Sequence, residues 1–417
     1  MDNKKIPLQT LKGFRDFLPD EKQSRDFVTK KIIEVFERFG FLPLETPTLE
    51  YASLLLGKYG KEADKLVYKF LDRGERLIAL RYDQTVPTAR VLAQYQNQLP
   101  KYFRRYQIQN VFRADKPQQG RFREFTQCDV DIFGSTAPIA DAEIIATTYF
   151  AFKNVGFPKI TLQINDRQTL FSILQPFATK TIDIFSLIQT IDKLEKLGSE
   201  TVIKELVTRG ITQSSANQII ANLDNAKLTE NLRQISQFTE ALGVPKIAIK
   251  FQSSLARGLD YYTGMIFEVK IDGYGAGSCG GGGRYDKLIK QLGGPNIPAV
   301  GIAFGFDRIV EAAQQLKLVD SKSKKTTVLI TIFDQQFTTQ SLTAANQIRN
   351  AKISCEVYPA LDKLDKQLKY ANRKGIPFVI IIGPEEAEKN LVKTKNMKTG
   401  EQNTLTSDQT LKFLISN

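Results

Sequence analysis

The segment from Val111 to Gly134, VFRADKPQQGRFREFTQCDVDIFG, constrains this chain more than any other stretch, because its pattern is typical of a long hairpin with two unlike faces. If its returning half, residues 121–133, is a strand, successive side chains point to opposite faces. One face then carries charged and polar groups around a single aromatic ring: Arg121, Arg123, Phe125, Gln127, Asp129 and Asp131. The other face is the one that a core would cover: Phe122, Glu124, Thr126, Cys128, Val130 and Ile132.

The polar face of this strand predicts a binding surface for a bipolar ligand. Guanidiniums at one end suit phosphates, and the amide and carboxylates at the other end suit a cationic or donor-bearing group. At roughly 3.3 Å per strand residue, Gln127 is about 13 Å from Asp131, so the row is long enough for a nucleotide joined to a small metabolite. A strand that is merely solvated on its polar side is the alternative, and the hairpin by itself does not exclude it.

The composition indicates a globular chain of two or three domains. Its 417 residues are enough for a large core, and its 42% apolar and 25% charged residues are ordinary for folded proteins. No run approaches the roughly 20 apolar residues of a membrane span, and the first residues, MDNKKIPLQT, lack the apolar segment of a signal peptide. We therefore expect a soluble cytoplasmic protein.

The chain contains no histidine and only three cysteines, Cys128, Cys279 and Cys355. The lack of imidazole excludes a Ser-His-Asp triad, a Cys-His dyad and every zinc site that uses histidine, and three scattered thiols cannot form a four-cysteine cage. The cysteines are also too far apart and odd in number to indicate a disulfide framework. Catalysis must therefore depend on positioned charge rather than on proton transfer by imidazole.

The charge balance favours a polyanionic partner. Lysine and arginine number 58 against 45 aspartates and glutamates, which gives a formal net charge of +13. A basic surface of that size attracts nucleic acid through the release of counterions, although many basic proteins bind none.

The first half of the chain mixes helical and extended patterns and ends in a long helical stretch. Apolar residues at helical spacing predict a helix over 20–39, which Gly40 ends. Residues 167–245 are dominated by helical patterning with few turn signals, and we interpret them as a helical insertion. The other elements expected before the insertion are strands at 66–70, 76–80 and 160–166 and helices at 87–98 and 138–155.

The second half predicts further strands and then a separate small domain. A strand is expected at 264–271, then a glycine-dense turn, then a strand that leads into a helix within PAVGIAFGFDRIVEAAQQL. The polar, lysine-rich residues 316–325 are typical of a linker. The alternating pattern beyond them indicates an α/β domain: strands at 327–333, 353–358 and 377–383, helices at 338–350 and 361–374, a hairpin turning at 398–400 and a last helix at 408–415.

The glycine-dense segment permits three interpretations. GAGSCG, residues 275–280, matches the letter pattern of a dinucleotide-binding loop, but the surrounding sequence lacks a βαβ unit of the required length. We prefer the hypothesis that Gly280 to Gly283 let the backbone approach a bound ligand closely. A flexible surface loop is the alternative.

Several motifs together resemble class II aminoacyl-tRNA synthetases, and in particular the histidyl-tRNA synthetase family, over nearly the whole chain. Pro47 within GFLPLETPTLE is similar to the first class motif, Val111–Gln127 to the second, and AVGIAFGFDRI, which ends just after Arg308, to the third. Two further segments, ARGLDYYTG at 256–264 and CGGGGRYD at 279–286, are similar to signatures peculiar to histidine activation.

The resemblance implies a fold that is α/β and α+β and multidomain. Residues 1–320 would form a class II catalytic domain built on an antiparallel sheet, with the helical insertion at about 167–245, and residues 326–417 an α/β anticodon-binding domain. The implied enzyme is a cytoplasmic homodimer that joins L-histidine to tRNA(His) and uses ATP as a substrate together with Mg²⁺. The sequence does not indicate which side chains would hold the metal.

The resemblance also implies roles for individual residues. Arg113 and Arg257 would be catalytic, contacting the α-phosphate and the substrate carboxylate. ATP would be bound by Arg113, Arg121 and Arg308, with Phe125 stacked on the adenine. Histidine would be bound through its ammonium by Asp83, Thr85 and Gln127, and through its imidazole by Asp131 and Tyr262, with Tyr261 beside them.

The C-terminal segment carries two groups of cations that could contact nucleic acid. Lys363, Lys366, Lys369 and Arg373 follow helical spacing and could face phosphates, but Asp362 and Asp365 beside them fit an ordinary solvated face equally well. The predicted hairpin offers a second basic edge, formed by Lys393, Lys395 and Lys398.

Two rival functions were weighed against this one. A catalytically silent relative, such as the regulatory subunit of ATP phosphoribosyltransferase, would normally lack the C-terminal domain and the catalytic arginines, both of which are present here. A class II ligase for another amino acid is disfavoured by the LDYYTG segment.

Overall fold

The computed structural model describes residues 8–57, 64–117, 121–179, 182–257, 261–275, 277–319 and 326–416. The chain forms two compact units, Met1–Val319 and Asp320–Asn417. Within these described ranges, no helix is both long and apolar enough to cross a membrane.

The first unit is organised around two sheets. Its strands are β1 (Leu42–Pro43), β2 (Leu49–Tyr51), β3 (Lys69–Leu71), β4 (Leu77–Leu80), β5 (Phe103–Phe112), β6 (Glu124–Phe133), β7 (Ile160–Asp166), β8 (Ile249–Phe251), β9 (Met265–Ile271), β10 (Gly280–Arg284) and β11 (Ala299–Phe304). The main sheet has the order β1-β5-β6-β11-β10-β9-β7-β8, and a small sheet has the order β2-β4-β3. Neighbouring strands of the main sheet are antiparallel except for the outermost pairs, β1–β5 and β7–β8, which are parallel.

The predicted hairpin is formed by β5 and β6, which pair from Phe103 opposite Phe133 to Phe112 opposite Glu124. The second strand, β6, begins three residues later than expected, at Glu124 instead of Arg121. The expected alternation is confirmed in its second half, because Cys128, Val130 and Ile132 are buried in the main hydrophobic core. The intervening side chains therefore point to the other face of the sheet.

Three helices cover the core face of the main sheet: Pro19–Arg38, Pro138–Val155 and Phe306–Gln315. Their apolar side chains join those of the strands in one cluster, in which Phe36, Phe152 and Phe304 are in ring contact. The helix predicted at 138–155 has the expected bounds because it starts with a proline and ends at Gly156, whose φ of 114° suits glycine.

Residues 167–241, the proposed insertion, are mainly helical, as their patterning predicts. The helices up to Asp224 share a second core with the helix Thr85–Gln94, which begins and ends earlier than the predicted 87–98. Leu170, Leu187 and Leu206 are fully buried in that core. The last helix packs instead in the first core, through Leu232 and Ile235. The main helices of the insertion are Arg167–Leu174, Ile184–Ile191, Leu194–Leu197, Ser199–Thr208, Gln213–Asp224 and Glu230–Ala241.

The prediction of a continuous glycine-dense turn is wrong for Gly280–Arg284, which form β10 in the interior of the main sheet. Glycine has little intrinsic tendency to form strands, so the pattern indicated a turn. The neighbouring strands leave room for nothing larger: a Cβ on Gly282 would lie 2.1 Å from the carbonyl oxygen of Gly301, and one on Gly283 would lie 2.4 Å from that of Met265.

The second unit has the α/β pattern that the sequence predicts. Its sheet has the order β13-β12-β14-β15-β16, with the first three strands parallel and the last three antiparallel. These strands are β12 (Val328–Ile330), β13 (Cys355–Val357), β14 (Phe378–Ile381), β15 (Val392–Asn396) and β16 (Gln402–Leu405). The α-helices are Thr338–Asn350, Leu364–Lys374, Pro384–Glu388 and Ser407–Ser416.

Candidate active site

A cavity of about 770 Å³ lies in the first unit, against the face of β6, β10 and β11 that is opposite the three covering helices. It brings together every residue that the resemblance singles out as a site residue: Asp83, Thr85, Arg113, Arg121, Phe125, Gln127, Asp131, Arg257, Tyr261, Tyr262 and Arg308. Residues 258–260 of the ARGLDYYTG segment lie outside the described residues.

Arg113 and Phe125 form an aromatic and cationic end of the cavity. Arg113 follows directly after β5, and its Nε donates a hydrogen bond to the carbonyl oxygen of Tyr82 at 3.1 Å. Its guanidinium lies 4.4 Å from the ring centroid of Tyr82 and 5.1 Å from that of Phe125. A planar cation held between rings leaves donors available for an anion at a fixed position.

One arginine of the hairpin faces elsewhere than the alternation predicts. Arg121 lines the cavity, whereas the guanidinium of Arg123 donates to the carbonyl oxygens of Asp115 and Lys12 at 3.1 Å and 3.4 Å. The cause is that the regular strand begins at Glu124, so the period of two does not extend back to Arg123.

Arg308 marks a second cationic position, at the rim of the cavity. It lies in the first turn of the helix Phe306–Gln315, is exposed, and donates through Nη1 to the carbonyl oxygen of Ser278 at 2.7 Å. Asp307 beside it is paired with Arg15 at 3.2 Å and with Arg25. The exposed guanidinium of Arg308 is thus more accessible to an incoming anion than those of Arg15 and Arg25, which are paired with Asp307.

Arg257 is the third cationic group, and it lies over β10. Its Nη1 pairs with Glu268 of β9, which fixes the direction of the guanidinium. Burial opposes its charge, but Tyr262 and Glu268 together raise the pKa of Arg257 above its usual value, so the residue stays cationic. Gly281 lies directly below it, where a Cβ would come within 2.2 Å of Nη1.

The opposite end of the cavity is lined by polar groups with acceptor atoms. Asp83 precedes the helix Thr85–Gln94 and accepts from the backbone N–H of Val86 at 3.1 Å. The Oε1 atom of Gln127 is buried without a hydrogen-bond partner among the described residues. A buried acceptor of this kind is costly unless a ligand donates to it, which indicates where a donor-bearing substrate binds.

Three tyrosines and Asp131 form the innermost part of this end. The rings of Tyr261 and Tyr262 have centroids 4.7 Å apart, and Tyr285 packs edge-on against Tyr261 at 5.9 Å. Tyr285 donates its hydroxyl hydrogen to Oδ1 of Asp131. Burial raises the pKa of Tyr261 and of Tyr285 well above the usual value, so both remain neutral donors.

Sequence reasoning missed four residues of this site. Tyr285 lies within the CGGGGRYD segment but received no role, and Asp129 appeared only as one member of the polar face. Arg105 and Glu268 gave no sequence signal because their importance depends on partners in neighbouring strands. Arg105 is 1% exposed and pairs with Asp131 at 2.8 Å.

Gly301 of β11 clears the space that Asp131 occupies. A Cβ at this position would lie 1.8 Å from Oδ1 of Asp131 and 2.7 Å from the carbonyl oxygen of Val130. The two strands are paired so that Gly301 is directly opposite Asp131. Glycine at Gly281 and Gly301 therefore lets the arginine and the aspartate lie flat on the sheet.

The basic helix of the second unit is partly engaged in its own ion pairs. Lys366 pairs with Asp362 at 3.1 Å and Lys369 with Asp365 at 2.8 Å. Asp362 lies just before the helix Leu364–Lys374, which carries the other three residues. Lys363 and Arg373 are exposed. On the hairpin, Lys393 pairs with Glu386.

The chain is similar to known proteins over nearly its whole length. A family model described as histidyl-tRNA synthetase matches residues 13–309, and one described as anticodon binding domain matches residues 323–417. The histidine–tRNA ligase of Cytophaga hutchinsonii is 38% identical over an alignment that covers 97% of this chain and 98% of that protein. The histidine–tRNA ligase of Wolinella succinogenes is also 38% identical, with 95% of each chain covered.

Solved structures give the same result and confirm the expected fold class. The crystal structure of histidyl-tRNA synthetase from Nostoc sp. PCC 7120 covers 99% of this chain and all of its own, with a TM-score of 0.84 and 29% identity. A Bacillus halodurans protein described as an ATP phosphoribosyltransferase regulatory subunit/histidyl-tRNA synthetase has a TM-score of 0.74 at 22% identity, which shows the fold alone. The chain belongs to the histidyl-tRNA synthetase family, whose members are ATP-dependent aminoacyl-tRNA ligases that charge tRNA(His) with histidine.

Proposed function

We propose that this cavity carries out both steps of histidine–tRNA ligation. A carboxylate oxygen of L-histidine attacks the α-phosphorus of ATP and pyrophosphate leaves, which gives histidyl-adenylate. A hydroxyl of the 3′-terminal adenosine of tRNA(His) then attacks the carbonyl carbon, and AMP leaves. The observation that carries the proposal is the single cavity that holds Arg113, Arg257 and Arg308 together with Gln127 and Asp131.

The arginines supply the catalysis of the first step. The attacking carboxylate is ionised at neutral pH and needs no base, so the barrier lies in bringing two anions together and stabilising the charge that develops on the α-phosphate. Arg113 and Arg257 can both donate to that phosphate and to the carboxylate. Because Glu268 and the Tyr82 backbone hold the two guanidiniums in place, they need little reorganisation during the reaction.

ATP is held along the row that starts at Phe125. Its ring is placed to stack on the adenine, Arg121 contacts the phosphates, and Arg308 at the rim takes the γ-phosphate. Mg²⁺ is expected to arrive on the ATP phosphates, whose charge it offsets. Among the described residues, no three Cys, Asp or Glu side chains cluster closely enough to hold a metal ion.

Histidine occupies the opposite end. Its ammonium group is taken by Asp83, Thr85 and the orphan Oε1 of Gln127. Its imidazole is read by Asp131 and Tyr262, with Tyr261 beside them and the Tyr285 hydroxyl orienting Asp131. A site whose buried polar groups need partners discriminates strongly against amino acids that leave them unpaired.

We extend the proposal to the rest of the molecule. Residues 1–320 form the catalytic domain, and residues 326–417 the anticodon-binding domain, where exposed cations lie on or just before the helix Leu364–Lys374: Lys363, Lys366, Lys369 and Arg373. The small sheet favours a homodimer, because it exposes the side chains of Tyr51, Phe70 and Leu71 by 59%, 47% and 64%. A ligase that charges tRNA for translation is expected in the cytoplasm.

Exchange of labelled pyrophosphate into ATP tests the proposal. The purified chain is expected to catalyse exchange that depends on L-histidine, and to charge tRNA(His) when the tRNA is added. Absence of exchange would support the silent paralogue, and exchange driven best by another amino acid would support a ligase of different specificity. Arg257→Gln is the matched catalytic variant and should lose exchange while it keeps the thermal stability of the parent within a few degrees.

A further inference from the structure

Arg105 is a buried cation that touches the acids at the imidazole end without lining the cavity. It lies on β5 directly opposite Asp131 of β6. Its Nη2 is 2.8 Å from Oδ2 of Asp131 and 3.9 Å from Oδ2 of Asp129. Both aspartates line the cavity and Arg105 does not, so the guanidinium can influence a bound ligand only through the two carboxyl groups.

Two buried carboxyl groups share this one cation, so they cannot both be ionised without cost. Burial raises the pKa of Asp129 to about 8, against the opposing effect of Arg105. Burial also raises the pKa of Asp131, and there Arg105 and the Tyr285 hydroxyl both oppose the rise. The closer contact with Asp131 therefore places the single negative charge on Asp131, while Asp129 keeps its proton at neutral pH.

Other groups around the pair do not replace Arg105. Asp83, before the helix Thr85–Gln94, adds a further negative charge, and Arg113 acts on Asp129 without forming an ion pair among the described residues. Tyr261, Tyr262 and Tyr285 are phenols and carry no positive charge. Next to the two aspartates, Oε1 of Gln107 accepts hydrogen bonds from Arg105 at 3.4 Å and from Thr88 at 3.2 Å. These bonds hold the guanidinium in place.

We propose that Arg105 is a positioning residue for histidine recognition, holding Asp131 as an oriented carboxylate that accepts a hydrogen bond from an imidazole N–H. The inference rests on the proposed function and deepens it. Protonated Asp131 would present a donor instead of a pure acceptor, so the guanidinium sets which kind of ring the site accepts. Arg105 thereby contributes to amino-acid specificity although it touches no substrate.

The test compares Arg105→Gln and Arg105→Lys with the parent in histidine-dependent exchange. Arg105→Gln is expected to raise the histidine KM about 10- to 100-fold at neutral pH, because the imidazole N–H of histidine loses its charge-assisted hydrogen bond to ionised Asp131. The ATP KM should stay unchanged within about 2-fold. Without the cation, the pKa of Asp131 rises further. The histidine KM of Arg105→Gln should therefore fall back towards the parent value as pH rises, because more of Asp131 becomes ionised.

Arg105→Lys keeps the charge but reaches the carboxyl groups less well. It is expected to raise the histidine KM only about 3- to 10-fold, without the new dependence on pH. Arg104→Gln is the matched control, since Arg104 precedes Arg105 on β5, faces the other side of the sheet and pairs with Glu143 away from the cavity. It should leave both KM values unchanged.

The inference is overturned if Arg105→Gln keeps the histidine KM of the parent. It is also overturned if Arg105→Gln and Arg105→Lys raise the histidine KM by the same factor at every pH. Should Arg105→Gln fail to fold, Arg105→Lys decides alone, and an unchanged histidine KM in that variant overturns it. These outcomes require an active parent. A parent without histidine-dependent exchange refutes the proposed function instead, so the two failures are distinguishable.

Discussion

Replacing Gly301 with alanine should selectively damage histidine binding. The added Cβ would lie 1.8 Å from Oδ1 of Asp131, whereas ordinary contacts of carbon are ~3.5 Å, so the carboxylate must move by roughly 1.5 Å. The strand cannot yield instead, because Gly301 lies between β6 and β10 in the interior of the sheet and the same Cβ is 2.7 Å from the carbonyl oxygen of Val130. The movement would also disturb the contacts of Asp131 with Arg105 and Tyr285.

The size of the effect follows from that displacement. A shift of ~1 Å at a binding group costs ~100-fold in reactivity, so kcat/KM for histidine should fall at least that far. Overpacking in a rigid interior costs a further 1–3 kcal/mol of stability, roughly, and the protein should stay folded. Because Asp131 lies at the proposed histidine end, away from the proposed ATP-binding residues, the ATP KM should change little.

Pyrophosphate exchange at varied histidine concentrations gives kcat/KM for histidine, and exchange at varied ATP concentrations gives the ATP KM. Thermal unfolding measures stability. Gly281→Ala is the contrasting variant, since its Cβ meets Arg257 at 2.2 Å and should lower kcat more than it raises the histidine KM. Gly275→Ala is the neutral control, because no neighbouring atom of the described residues lies within 4 Å of the position of its Cβ. If Gly301→Ala kept the histidine KM of the parent, the close packing of Gly301 against Asp131 could not be what positions this carboxylate.

Three further results are expected. Tyr285→Phe removes the hydroxyl that donates to Asp131 and should raise the histidine KM by about 10-fold in pyrophosphate exchange, with the ATP KM as control. The pKa of Asp129 is about 8 in the folded protein, whereas that of an aspartate in the unfolded chain is about 3.9. The unfolded chain therefore loses this proton first, and the free energy of unfolding should decrease as pH rises between the two values. Asp129→Asn should make that decrease smaller, as measured by urea titrations at acidic and alkaline pH. The double variant Lys363→Ala, Arg373→Ala should raise the KM for tRNA without affecting exchange, and unchanged aminoacylation kinetics would remove the basic helix from the tRNA interface.

Local patterns predicted the elements that carry their own signals. The helix Pro138–Val155 has a proline at its start and Gly156 at its end, and β7 has the predicted bounds because an apolar run is bordered by turn residues. The alternation of β6 was sufficient to separate Cys128 and Val130 in the core from the side chains that face the cavity. For these elements, propensity and tertiary packing favour the same structure.

Features that depend on distant neighbours were not predictable in the same way. The strand β10 consists of glycines, whose intrinsic preference is against strands, and only the closeness of β9 and β11 explains it. The role of Arg105 requires the β5–β6 register, which places it opposite Asp131. Arg123 was misassigned because the strand starts after it, and no local signal marks that boundary.

The β5–β6 ribbon joins the two ends of the cavity within one continuous pair of strands. Phe125 and Asp131 are on the same strand, six positions apart, and each is hydrogen-bonded into the sheet through its neighbours. In the proposed binding mode, the separation between adenine and imidazole is therefore set by a rigid length of main chain rather than by independent loops. An aminoacyl-adenylate that spans the cavity must match this fixed separation at both ends. An amino acid with a shorter or longer side chain would then not reach Asp131 while the nucleotide is bound, even if the amino acid and the nucleotide could each bind alone.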